Sequence, residues 1–432
     1  RDSGAGADTE AYRDIVERFG VTEFDRSGPC TTGRVLAVLP HPTDGDAEMV
    51  EIFLDRTTFY AEGGGQVGDT GTITTDSGVA QVVDTNAPIA GLSRHIAVMQ
   101  SGTIGEGQTA TTDVDWERRA KIRRNHTGTH ILHWALRDVL GDHVKQAGSL
   151  VEPDRLRFDF SHFEAVTPEQ LAAIEDMVNA EILVNETCRH YETSMEQAQN
   201  AGAIAFFGDK YGDTVRVLEA GRNSIELCGG THVAKLGDIG HLRIVSESSI
   251  GSNLRRIEAI TGTATVERLR ADEDLLDELS DMLATSPDGL IDAVRRRNDE
   301  IKALQRQLKA MQQAAAAKAA GSLTESVVDG VVIARLDGLD RDTMRDMAAA
   351  AREAEGIDAV VLAGAGEKGG VVLVAAVKEN GRFNAADLID QSAKAVQGGF
   401  GRKGNPSLIV AGGKNVEGID EALELARSAA GI

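Results

Sequence analysis

Residues 126–130, His126-Thr127-Gly128-Thr129-His130, and residues 228–232, Cys228-Gly229-Gly230-Thr231-His232, decide how this chain is read. Each stretch sets two metal-ligating residue types four positions apart. Together they offer three imidazoles and one thiolate, a complete tetrahedral set for Zn²⁺. The first stretch leads into Ile131-Leu132-His133-Trp134-Ala135-Leu136, an amphipathic helix pattern. Positions i and i+4 share one helix face, so His126 and His130 can hold one ion. In the second, Gly229 and Gly230 disfavour a helix and predict a tight turn that folds Cys228 and His232 onto that ion. A zinc-protease helix needs a Glu directly after its first His. Thr127 stands there, which excludes that reading. The plain alternative, satisfied polar core residues, suits a lone HxxxH better than two paired motifs with glycines inside one of them.

Immediately before His126 runs Arg118-Arg119-Ala120-Lys121-Ile122-Arg123-Arg124, five cations in seven residues. The whole chain carries a net charge of −23. That total argues against a nucleic-acid partner, because phosphates need Lys and Arg. Binding depends on the local patch, however, and this run is one. The competing reading is a solvated helix face. Further upstream, short alternating segments at Gly33–Leu39, Met49–Leu54, Thr70–Thr74, Val79–Val83, His95–Met99 and Gln108–Val114 predict a small β-barrel. Within it lies Phe59-Tyr60-Ala61-Glu62-Gly63-Gly64-Gly65-Gln66-Val67-Gly68-Asp69-Thr70-Gly71. It lacks the Lys-Ser/Thr of a P-loop and is not a nucleotide site. Its glycines suit either a close backbone approach to a ligand or a flexible hairpin tip.

The 432 residues suffice for two or three domains. No apolar run is long enough to span a membrane. Cys30, Cys188 and Cys228 make no disulfide framework, which fits a reducing cytosol. Residue 1 is Arg, so a processed chain or a piece of a longer one is expected. Ala11–Phe19 reads as a helix after a frayed start. Downstream of His126 the pattern is α+β, with a helix from Pro168 to Val184 capped by Thr167 and strands at Leu156–Phe160, Val215–Leu218, Ile225–Cys228 and His241–Glu247. From 263 to 320 it turns helical. Leu290, Val294, Ile301, Leu304, Leu308 and Met311 mark a short coiled-coil seam, and Pro287-Asp288-Gly289 breaks it from the preceding helix. From about Ser326 a βαβ-like domain follows, with strands Gly330–Leu336, Ala359–Ala363 and Val371–Val377. Its glycine cluster Gly398-Gly399-Phe400-Gly401-Arg402-Lys403-Gly404 suits contact with a phosphate or RNA backbone, the competing reading being a plain flexible loop.

The stretches "RNHTGTHILHWALRDVLGDHVKQAGSLVEPDRLRFDFSH" and "ELCGGTHVAKLGDIGHLRIVSESS…RRIEAITG" closely resemble the editing domain of the alanyl-tRNA synthetases. "TEF" at 22–24, "YAEGGGQVGDTG" and the tail "GGFGRKGNPSLIVAGGK" resemble other segments of the same family, so the likeness spans nearly the whole chain. Two departures are modest: Gly128 stands where the family often has Ala, and Arg402-Lys403 fall in a loop that is often richer in glycine. The resemblance implies that His126, His130, Cys228 and His232 hold one Zn²⁺ per chain. It also implies that Gln146 lines the amino-acid pocket and that Thr129 stands beside the ligands, both as catalytic-site residues.

The resulting expectation is a multidomain α+β chain: a linker remnant over 1–30, a small β-barrel over 31–115, an α+β zinc editing domain over 116–262, an antiparallel helical hairpin over 263–320, and an α/β C-terminal nucleic-acid-binding domain over 326–432. The family's amino-terminal domain, which activates alanine with ATP, is expected to be absent. The expected activity is hydrolysis of mischarged Ser-tRNA(Ala) and Gly-tRNA(Ala). The alternatives are a freestanding deacylase and a noncatalytic zinc-stabilised tRNA-binding module. Arg118, Arg119, Lys121, Arg123, Arg124, Arg402 and Lys403 are the expected tRNA contacts. The partner is tRNA(Ala), with a homodimer through the C-terminal domain allowed, no membrane, and a cytoplasmic location.

Overall fold

The computed structural model describes residues 5–41, 49–205, 212–323, 326–366, 369–401 and 406–432. It falls into two compact units, Arg1–Leu275 and Leu276–Ile432.

The first unit opens with α1 (Ala5–Phe19), which starts earlier than the sequence suggests and buries Tyr12 and Ile15 against Leu36, Phe53 and Leu92. A two-residue strand β1 (Glu23–Phe24) pairs in parallel with β4 (Arg56–Thr57). The expected barrel is present and closed. Its strands are β2 (Cys30–Pro40), β3 (Met49–Leu54), β5 (Gly71–Thr75), β6 (Gly78–Ile89), β7 (Leu92–Gly102) and β8 (Thr109–Val114), in the order β2-β3-β7-β6-β5-β8. Closure comes from β8, which pairs with both β2 and β5. Residues alternate in and out as a barrel requires. On β8 the inward set is Ala110, Thr112 and Val114. Val35, Ile52, Leu54, Ile73 and Val82 fill the interior.

The rest of the unit is built around α2 (Trp116–Leu140). Asp115 caps it, accepting from Arg118 N at 3.0 Å. Every residue from Asn125 to His133 is buried, so the candidate metal motif lies on a helix enclosed all round rather than on an amphipathic surface helix. A sheet of β9 (Gln146–Val151), β10 (Leu156–Ser161), β14 (Leu242–Gly251) and β15 (Leu254–Thr261), ordered β14-β15-β10-β9, packs against it. The helix α3 (Pro168–Val184) carries the expected Thr167 cap, closed into a capping box by Gln170. A second sheet joins β11 (Cys188–Ser194), β12 (Thr214–Ala220) and β13 (Ser224–Leu227), with the short α4 (Met195–Asn200) between the first two. Phe158, Phe160, Ile131, Leu132, Leu136, Ile174 and Ile257 form the shared core. Strands β9, β11 and β15 were not expected from the sequence.

Barrel and α+β region are joined by a buried ion pair and by backbone. Arg119 donates to both carboxylate oxygens of Asp69 and to Thr58 O. Val67 N donates to Val151 O at 3.2 Å and Val151 N to Gly65 O at 2.7 Å. Gly65 has φ +81°, and a Cβ there would lie 2.7 Å from Ser149 O. That close approach, not freedom at a hairpin tip, accounts for the glycine.

The helix α5 (Thr263–Leu283) leads out of the first unit, and α6 (Leu290–Leu323) belongs to the second. Here the sequence reading needs correction. Leu290 is buried, but Val294, Ile301, Leu304, Leu308 and Met311 are all exposed. The heptad pattern marks an apolar face, yet nothing among the described residues covers it. The helix also runs on past residue 320, as its alanines favour. The second unit then forms a mixed sheet of β16 (Val331–Arg335), β17 (Ala359–Ala365), β18 (Val371–Val377) and β19 (Leu408–Gly413). Only β16 and β17 are parallel, joined by α7 (Arg341–Arg352). Val360 and Leu362 face α7, while Val361 and Ala363 face α8 (Ala385–Ala395) and α9 (Ile419–Ala430). Both faces being covered, β17 reads as one apolar run.

Candidate metal centre

The four candidate ligands converge. The donor atoms of His126, His130, Cys228 and His232 all lie within 4.8 Å of one another. Cys228 Sγ is 3.4 Å from His126 Nε2 and 3.2 Å from His232 Nε2. A tetrahedral Zn²⁺ with the usual bond lengths holds its nitrogen and sulfur ligands about 3.5 Å apart. The donor set therefore fits the ion in chemistry, and its two Cys228 distances fit in spacing. Two ligands sit one helical turn apart on α2. The other two bracket a turn after β13, where Gly230 N points at Cys228 Sγ at 3.4 Å. A Cβ on Gly230 would lie 2.5 Å from His126 Nδ1, so only glycine admits the ring there.

Each imidazole is oriented from behind, as metal-ligating histidines require. His126 Nδ1 is 2.7 Å from Gln66 Oε1. His130 Nδ1 bonds Glu226, which also takes His133 Nδ1 at 2.7 Å. His232 Nδ1 is 3.4 Å from Thr127 Oγ1. Gln66 further accepts from Thr231 N at 2.9 Å and donates to Thr231 Oγ1 at 2.9 Å. Burial alone raises the Cys228 thiol, but His126, His232 and His130 outweigh it and hold it well below its ordinary range. Burial likewise works against the Glu226 carboxylate, and His130 and His133 pull it down to about 2. Sequence reading missed Gln66 and Glu226. Gln66 directly follows the glycine cluster and Glu226 stands two positions before Cys228. Those are faint signals, since polar side chains show their partners only in the fold.

A cavity of about 710 Å³ opens on His126, His130 and Cys228, and Thr129, Gln146, Tyr60 and Ser149 also line it. Thr129 is buried, and its Oγ1 donates to Asn125 O at 2.8 Å. Thr129, expected beside the ligands, and Gln146, expected in the amino-acid pocket, therefore share one cavity with His126, His130 and Cys228.

The basic run is not one patch. At 100° per residue, positions 118 to 124 point all round the helix. Arg119 is buried and its charge is already paired with Asp69, which goes against that expectation. Arg118 Nη1 donates to Gly68 O at 2.8 Å. Arg123 Nε donates to His232 O. Lys121 and Arg124 are half-buried. Arg402 and Lys403 lie outside the described residues. Of the neighbouring glycines, Gly399 bonds Gly412 O of β19 at 3.2 Å, so part of that cluster serves sheet packing.

Comparison with known proteins gives consistent relatives. Residues 215–258 match the family model described as "Threonyl and Alanyl tRNA synthetase second additional domain". Residues 42–118 match "tRNA synthetases class II (A)". The chain is 41% identical over 422 residues to an alanine-tRNA ligase of Acetivibrio thermocellus, covering 95% of this chain and 47% of the relative. It is 43% identical over 431 residues to one of Pseudomonas entomophila, covering 96% and 48%. The chain thus spans about half the length of the relatives it matches. A solved C-Ala domain of Aquifex aeolicus alanyl-tRNA synthetase aligns at 22% identity over 23% of this chain and 88% of its own, with a TM-score of 0.21, a likeness too slight to use.

Proposed function

From the premise that this chain is homologous to the alanyl-tRNA synthetases over nearly all of its length, we propose that it hydrolyses the ester of mischarged tRNA(Ala), releasing serine or glycine. Attachment of alanine to tRNA(Ala) with ATP is proposed of the full-length parent. The observation that carries the reading is one cavity lined by Thr129, Gln146 and three of the four candidate metal ligands, His126, His130 and Cys228.

The need for such an activity is physical. A pocket that accepts alanine rejects glycine or serine by only about 1–3 kcal/mol, too little for translation. A second, hydrolytic site must then tell serine from alanine by its hydroxyl. Thr129 is suited to that task. Its own proton is committed to Asn125 O, so its oxygen is left as an acceptor. A serine hydroxyl can donate to it, whereas alanine leaves it unsatisfied. Gln146 offers a second polar group from β9. His126, His130, Cys228 and His232 would hold Zn²⁺, which when bound supplies a Lewis acid for the ester or its water. Gln66, Glu226 and Thr127 fix the ring orientations on which that set depends.

A second reading is a noncatalytic zinc-stabilised tRNA-binding module. It is favoured by the donor count, since four protein ligands can close a tetrahedron. Chelation separates the two. Deacylation lost at chelator levels that leave the melting transition unchanged supports catalysis, and loss only with unfolding supports the module. The direct test compares hydrolysis of seryl, glycyl and alanyl esters on the same tRNA(Ala). Serine should be cleaved faster than alanine, and equal rates would overturn the proofreading assignment. A cytoplasmic location and a homodimer through the second unit are further parts of the proposal. No helix among the described residues is long and apolar enough to cross a membrane.

A further inference from the structure

A second cavity, of about 340 Å³, shares Gly230 and Arg216 with the first. Its walls gather Arg26, Arg123 and Arg216 with Phe24, Trp116 and His190. All three guanidiniums turn toward the metal loop. Arg26 donates to Gly229 O at 2.9 Å and Gly230 O at 3.2 Å. Arg216 Nη1 donates to Gly230 O at 2.9 Å and Cys228 O at 3.1 Å. Arg123 donates to His232 O.

Carbonyls satisfy these donors in part but carry no net charge. Among the described residues, no carboxylate oxygen comes within the 4.0 Å of an ion pair for any of the three. This is a chain with 68 acidic and 45 basic residues, yet the nearest acids, Glu192 for Arg26 and Arg216 and Asp238 for Arg123, act only from beyond ion-pair distance. Burial, with repulsion from Arg216, pushes the Arg26 guanidinium down to about 10. Each guanidinium has five N–H donors, and the carbonyls engage only one or two of them. The cations are also interleaved with flat rings. Arg26 lies 4.5 Å above Phe24 and Arg123 5.2 Å above Trp116, which is 42% exposed. Guanidiniums that meet phosphates beside aromatic faces that meet bases are the chemistry of single-stranded nucleic-acid recognition.

We propose that Arg26, Arg123 and Arg216 form a phosphodiester-binding site that holds the last phosphates of a single RNA strand while its 3′ end enters the metal-lined cavity. The proposal rests on the deacylase reading for the identity of that strand. It replaces a contact face spread along residues 118–124 with three arginines from separate parts of the first unit, only Arg123 being common to both.

The test uses the full chain and a short single-stranded RNA with a free 3′ hydroxyl. Affinity is measured across a salt series, with zinc content checked for each variant. Arg26→Gln should weaken binding about tenfold at low salt and lower the slope of log K against log salt by about 0.7, the value for one phosphate on a single strand. Arg26→Lys should keep the slope. An unchanged slope in Arg26→Gln with zinc retained overturns the proposal, leaving the arginines as braces for the loop. A second measurement needs no variant. In the unmodified chain the RNA should protect Arg26, Arg123 and Arg216 from an arginine-selective dicarbonyl, read by mass spectrometry. No protection overturns the site. Equal protection by inorganic phosphate at the same phosphate concentration overturns the strand in favour of a free anion. Protection without cleavage of seryl-tRNA(Ala) sinks the deacylase reading and leaves the phosphate site standing. Cleavage without protection does the reverse.

Discussion

Replacing Gly230 by alanine would set a methyl carbon 2.5 Å from His126 Nδ1, closer still to Cε1, and 2.9 Å from Gln66 Oε1. Ordinary contact begins near 3.4 Å, so the imidazole must withdraw by at least about an ångström. A metal–nitrogen bond tolerates about 0.2 Å. Either His126 leaves the ligand set or the loop retreats and takes Cys228 with it. In either case at most three donors remain of four, and in the first the bond from His126 to Gln66 is lost as well. Removing an orienting partner alone typically lowers metal affinity about 10- to 100-fold, and losing a ligand should cost at least the upper figure, about 2.7 kcal/mol. The assay is zinc per chain by elemental analysis after equilibration against chelators of graded strength. Gly229→Ala is the internal control, because nothing lies within 4 Å of its added carbon. It should hold zinc like the unaltered chain. The reasoning is refuted if Gly230→Ala competes with the same chelators as well as Gly229→Ala does.

Three further outcomes are expected. Thr129→Val keeps the shape but removes the acceptor, so the preference for seryl over alanyl ester should shrink about fivefold, for roughly 1 kcal/mol of hydrogen bonding; an unchanged ratio of single-turnover rates excludes Thr129 as the discriminator. Arg119→Met leaves Asp69 buried and unpaired, and should destabilise the first unit by about 3–5 kcal/mol, measured by denaturant titration; a loss within experimental error would mean that water already reaches the pair. His95 is buried in the barrel, between Thr57 Oγ1 and Ile52 O, each at 2.8 Å, and burial lowers its pKa from 6.5 to about 4. Between those values the unfolded chain takes up a proton that the folded one refuses, so His95's contribution is complete above pH 6.5 and falls away toward pH 4, by up to about 3 kcal/mol. Hydrogen exchange of barrel amides should show that loss, and His95→Gln should flatten it; an identical pH slope in the variant would rule His95 out as its source.

The barrel was legible in the sequence because its strands are short, alternating and punctuated, as the inward set Ala110, Thr112 and Val114 illustrates. The metal motifs were legible because four-residue spacing has a direct geometric meaning on a helix. Other features were not, each for its own reason. Strand β11 buries little beyond Cys188, so it carries no apolar alternation to read. The heptad face of α6 declares that an apolar stripe exists but not what covers it, and among the described residues it is exposed. Five cations in seven residues looked like a surface, yet Arg119 is consumed by a carboxylate fifty positions earlier in the chain. Gln66 bonds Thr231 and Arg26 bonds Gly229 across still longer separations, and no local pattern encodes such meetings.

The bonds of Gln66 bear on how this region can be inherited. One amide from the barrel holds His126 on one side and Thr231 on the other, so the ligand cage is finished by a segment that supplies no ligand. The barrel and the α+β region are therefore not interchangeable parts. A recombination that joined residues after 115 to a foreign barrel would deliver all four candidate metal donors and still leave one ring free to turn. Unless the incoming barrel brought a glutamine at the end of an equally tight glycine loop, the hybrid should hold a metal poorly, and without an acid in place of Asp69 for Arg119 it should lose stability as well. Geometry thus disfavours exchange across that boundary.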